Sequence, residues 1–81
     1  MSWIKEILAD RMNCLIELAE TIANETDKET QDLWYNSGGY TKEDTEETLF
    51  DIVMDEDEFK TIMDIGVSLV RTYNEKNKNN I

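Results

Sequence analysis

The chain has 81 residues, 40% of them apolar, with 19 Asp and Glu against 8 Lys and Arg, no His, no Pro and one Cys, for a formal charge of −11. That is one domain with a small core, and the Ile, Leu, Val, Phe and Met come in periodic clusters that a disordered acidic chain lacks. Without His there is no Ser-His-Asp, Cys-His or His-carboxylate metal site, and a lone Cys14 provides neither an intramolecular disulfide nor a multi-cysteine zinc site.

The first segment carries Leu8, Met12, Leu15, Ala19 and Ile22 at steps of 4,3,4,3, which is one face of a helix over about residues 2–24. Trp3, Ile4, Ile7, Cys14, Ile16 and Leu18 flank that stripe and widen the apolar arc to roughly 220°, against the about 100° of an ordinary surface helix. Such a helix is either central in the fold or shared with a second copy, and the reading favours a homodimer through it. Cys14 reads as a small buried apolar residue.

Thr26-Asp-Lys-Glu29 has the form of a capping box and opens a short helix over about 27–37. Asn36-Ser37-Gly38-Gly39 ends it, because glycine tolerates the left-handed conformation that closes a helix. Of its Leu33, Trp34 and Tyr35, Trp34 is expected in the core, while Tyr35 and the nearby Tyr40 are expected to face a partner, since aromatic side chains dominate binding hot spots. Thr41-Lys-Glu-Asp44 is a second box, followed by Leu49, Phe50, Ile52 and Val53 in a helix over about 42–54. A break or kink near Met54–Asp55 is favoured over one continuous helix of about 33 residues, and a last helix over about 56–75 follows, whose Phe59, Ile62, Gly66, Leu69 and Tyr73 repeat at 3,4,3,4. Gly66 lies on that apolar face. Glycine inside a helix costs about 1 kcal/mol, so another helix should pass close by. The tail, 74–81, with four Asn among eight residues, should fray. The whole predicts an all-α fold, a small antiparallel bundle of three or four helices in a single domain spanning 1–81.

Charge is concentrated. Residues 43–58 contain nine acids (Glu43, Asp44, Glu46, Glu47, Asp51, Asp55, Glu56, Asp57, Glu58) and no base. Glu43, Glu47 and Asp51 fall at i, i+4 and i+8, one turn apart in a continuous helix, with Asp44 beside them. Like charges so placed cost about 0.2–0.5 kcal/mol per pair. Solubility is one explanation of that arrangement, and a binding surface for a basic partner is the other. An EF-hand reading from Asp55 fails, because Phe59 and Lys60 occupy the positions that need an acid and a glycine. The paired acids of the all-α nucleotide pyrophosphohydrolases are matched only in Glu43-Asp44-x-x-Glu47, with no Glu-x-x-Asp after it. The chain therefore reads as a protein that is not an enzyme and needs no cofactor or metal.

In general character (small, acidic, helical and without His) the chain resembles inhibitors that bacterial viruses use against host enzymes. That resemblance implies a virus-encoded inhibitor or modulator, with carboxylates standing where nucleic-acid phosphates would sit. The expected partner is a basic protein surface on a larger, nucleic-acid-handling protein, met by Glu43, Asp44, Glu47, Asp51, Asp55, Glu56, Asp57 and Glu58 with Tyr35 and Tyr40. Direct binding to nucleic acid is not expected, since like charges repel. With no run near the roughly 18–20 apolar residues of a membrane span, the chain is expected in the cytoplasm, unprocessed. The alternative is a helical adaptor or self-associating module acting through an apolar helix face.

Overall fold

The computed structural model describes residues 2–78, and among them there are helices and no strand. Five helical segments follow one another: α1 (Ser2–Glu25), α2 (Lys28–Asn36), α3 (Lys42–Glu47), α4 (Leu49–Met54) and α5 (Glu56–Lys78). Residues 79–81 of the expected tail, and the side chains of Ser2, Ile4, Phe50, Val53 and Met54, lie outside the described part. The rest of that tail continues α5 to Lys78, with Lys76 and Lys78 placed where cations complement the negative end of the helix dipole.

The course of the chain follows from its contacts. Arg11 pairs with Glu56 at 2.7 Å and Leu18 lies over Gly66. Hence α1 and α5 point the same way, with residues 2–10 of α1 projecting past the start of α5. That offset accounts for a long axis of 50 Å against cross-axes of 21 and 20 Å, longer than the about 36 Å of a 24-residue helix. The return stroke between them is shared: α2 runs back beside α5, and α3 with α4 continues it along α1. Helix α1 touches all four other segments, so its wide apolar arc is used by a central position over its C-terminal half.

The core is Leu15, Leu18, Ala19, Ile22, Trp34, Ile52 and Ile62, with Leu8, Met12, Phe59 and Leu69 packed partly against it. Both apolar rhythms read from the sequence therefore face inward. Trp34 is fully buried and its indole N–H donates to the Tyr40 carbonyl at 3.3 Å. Gly66 meets the expected close approach: a Cβ there would collide with Leu18 and with the Trp34 ring.

Three local readings change. The cap of α2 is Asp27, whose carboxylate accepts from the Thr30 N–H at 2.8 Å. Thr26 instead turns its hydroxyl back to the Ile22 carbonyl, and Gln31 donates to the carbonyls of Ala23 and Thr26, so both residues serve the end of α1. The Thr41 box is present as expected, with Asp44 returning its side chain to the cap. However, the helix it opens stops at Thr48, where φ is −114° and ψ is 38°. The Thr48 hydroxyl donates to the Asp44 carbonyl at 2.5 Å, a bond that Thr45 and Thr72 also make inside unbroken helices. Finally, Cys14 is exposed, because the core face of α1 is centred on Leu15 and Ala19 and turns the neighbouring position outward. The break expected at Met54–Asp55 is present, with Asp55 capping the Glu58 N–H at 3.0 Å.

Candidate interaction surface

The carboxylates of 43–58 divide into two groups by what they touch. Asp44 is tied into the α3 cap, Asp55 into the α5 cap, Glu56 pairs with Arg11 and Glu58 accepts from the Tyr40 hydroxyl at 2.6 Å. Asp44 secures the start of α3 and the other three the start of α5. Glu43, Glu46, Glu47, Asp51 and Asp57 are exposed, and no ion pair engages them among the described residues.

The expected row of Glu43, Glu47 and Asp51 needs correction. Glu43 and Glu47 belong to α3 and Asp51 to the first turn of α4, so the break at Thr48 interrupts the register that would have aligned all three. The folding of the chain gathers acids in another way. The Tyr40 phenol is pushed up to about 12, first by its hydrogen bond to Glu58, then by partial burial and by the charges of Glu58, Asp44 and Asp51. Acids from α3, α4 and α5 thus converge around one tyrosine.

Tyr40 itself is half-buried, its hydroxyl donating to Glu58 and its carbonyl accepting from the Trp34 indole. Tyr35 does face solvent, at 38% exposure. It forms one wall of an open groove of about 600 Å³ between α1, α2 and α3. Ala19, Ala23, Glu20, Lys42 and Glu43 also line it. Lys42 reaches across to Glu20 at 3.0 Å, and its pKa is raised by that hydrogen bond and by the charges of Glu20 and Glu46. Sequence reasoning missed the groove, although the small residues Ala19 and Ala23 one turn apart were a legible sign of a shallow strip on α1.

Among the described residues no group of His, Cys, Asp or Glu is arranged to hold a metal ion, and no helix is long and apolar enough to cross a membrane. Compared with family models, curated proteins and solved structures, the chain matches none.

Proposed function

We propose that the protein is a small acidic interaction protein of the cytoplasm, without catalytic activity, that inhibits or modulates a larger partner by binding its basic surface. The observation that carries this reading is the group of five exposed carboxylates, Glu43, Glu46, Glu47, Asp51 and Asp57, without ion pairs among the described residues. They ride on a framework whose neighbouring acids already secure the helix ends. The short helices that carry most of this surface pack against the central helix α1, which limits the ordering cost of binding. Complementary charge raises the association rate and selects among partners. A partner whose basic groove ordinarily holds nucleic acid fits this chemistry, with carboxylates taking the place of phosphates.

The test is binding to an immobilised lysine- and arginine-rich protein. Retention should fall steeply between low and moderate salt. Glu47→Lys combined with Asp51→Lys should weaken it several-fold or more and leave the fold intact, because both side chains are exposed and removing like charge is neutral or slightly stabilising. Undiminished binding of the double variant at low salt would reduce the acidic surface to a solubility device.

A second reading, self-association, is favoured by one separate observation: Trp3 and Ile7 on the projecting end of α1 are 60% and 44% exposed. They lie one turn apart, and Cys14 continues the stripe away from the core face. A second copy laid on this stripe would complete the apolar arc that α5 leaves uncovered.

A further inference from the structure

We propose that the groove between α1, α2 and α3 receives an arginine side chain from the basic partner segment, with the Tyr35 ring as its platform and Glu20 and Glu43 as its counter-charges. This rests on the reading of the acidic surface as a protein-binding face and names what that face grips.

The shape of the groove supports a side chain. Two alanines one turn apart on α1, the buried Ala19 and the exposed Ala23, line it with little side-chain bulk, and the space of about 600 Å³ opens directly to solvent. The Tyr35 ring on its wall remains 38% exposed while the adjacent Trp34 is fully buried. Core packing therefore accounts for Trp34 and leaves the Tyr35 ring available.

Charge supports a cation. Glu20 and Glu43 line the groove, and Glu17 and Glu25 extend the acidic edge along α1 past Glu20. The protein itself already seats a cation there: the Lys42 ammonium lies 3.0 Å from a Glu20 oxygen. Lysine is a point charge on a flexible stem, whereas the planar guanidinium of arginine stacks on an aromatic face and engages a carboxylate with two parallel bonds. An incoming arginine can therefore displace Lys42 from Glu20 and add the Tyr35 contact that lysine leaves unused. A segment of protein fits better than a free cation, because Glu43 carries the groove without interruption onto α3, where Glu46 and Glu47 are exposed.

The experiment is a titration of the full chain by nuclear magnetic resonance at low salt with a synthetic peptide of alternating arginine and glycine. Resonances of the Tyr35 ring and the Ala19 and Ala23 methyls should move. Tyr35→Ala should weaken binding roughly three- to fivefold, the size of an exposed cation–π contact, and Tyr35→Phe should bind as the parent does. Lys42→Gln should tighten binding by freeing Glu20. Lys5→Gln makes the same change of charge fifteen residues before Glu20 on α1, about 22 Å away and beyond the screening length, and should tighten it less. If Tyr35→Ala binds like the parent and only the carboxylates of α3 and α4 respond, the groove is not the site, while the acidic surface stands. Equal losses in Tyr35→Phe and Tyr35→Ala would reject the ring as platform. A peptide that does not bind at low salt at all would remove both the groove and the function it rests on.

Discussion

Around Trp34 and around Tyr40 the chain uses an aromatic residue in opposite ways. Trp34 is enclosed by Leu18, Gly66 and Gly39 so closely that either glycine has no room for a methyl group, and its one polar atom is satisfied. Tyr40 stands at the edge of the same core, among Glu58, Asp44 and Asp51. The first site sets the spacing of α1, α2 and α5 by packing. The second ties the loop before α3 to the start of α5 by one hydrogen bond, Tyr40 to Glu58, in a region where each short helix has a single residue described as fully buried, Thr45 in α3 and Ile52 in α4. A fold this small can carry a dense patch of negative charge because its stability is supplied elsewhere, by close packing in the neighbouring helices.

The sharpest way to break that contrast is to empty the packed site. Trp34→Ala removes the largest fully buried side chain and should cost about 3–5 kcal/mol, a large part of the about 5–15 kcal/mol available to a domain. Chemical denaturation would show it, and a loss below 1 kcal/mol would mean that the indole is not the keystone. Gly66→Val comes next, at about 1–3 kcal/mol, since the new side chain must displace Leu18 or the rigid indole ring.

The Tyr40 site should respond to pH and hardly at all to modest changes of volume. Its phenol is raised from 10.0 to about 12 in the folded chain. Below the ordinary tyrosine value both states are protonated and the full contribution to stability is present. As pH rises from that value towards the folded one, the unfolded chain loses its proton first and stability falls. Tyr40 should therefore give a late step in an alkaline absorbance titration. Glu58→Gln should move that step to lower pH, and Tyr40→Phe should delete it. A late step unmoved by Glu58→Gln would refute the Glu58 contact.

The smallest effect on folding belongs to the projecting end of α1. Trp3→Ser should change stability by less than about 0.5 kcal/mol, as surface substitutions do. If α1 pairs with a second copy, the parent scatters light as about twice 9.5 kDa and the variant as a single chain. A parent that scatters as a single chain would discard self-association, leaving the exposed Trp3 and Ile7 without that role.

Periodicity alone determined a good deal here. The stripes of α1 and α5, the Thr41 box, the glycine end of α2, the break before α5, the burial of Trp34 and the crowding at Gly66 were all legible, because each depends on residues within a turn or two or on a one-sided apolar rhythm. Local competition undid one of the readings that failed. At Asp27 and Thr26 two side chains could serve as the cap, and Gln31, reaching back from α2, left Thr26 to the end of α1. At Thr48 a helix ends that no Pro or Gly interrupts. The grouping of acids was beyond the sequence altogether. Which carboxylates are spent on Arg11, Tyr40 and the caps, and which remain exposed, depends on contacts such as Arg11 with Glu56, 45 residues apart. The groove beside Tyr35 likewise exists only once three helices meet, since its lining residues come from separate parts of the chain.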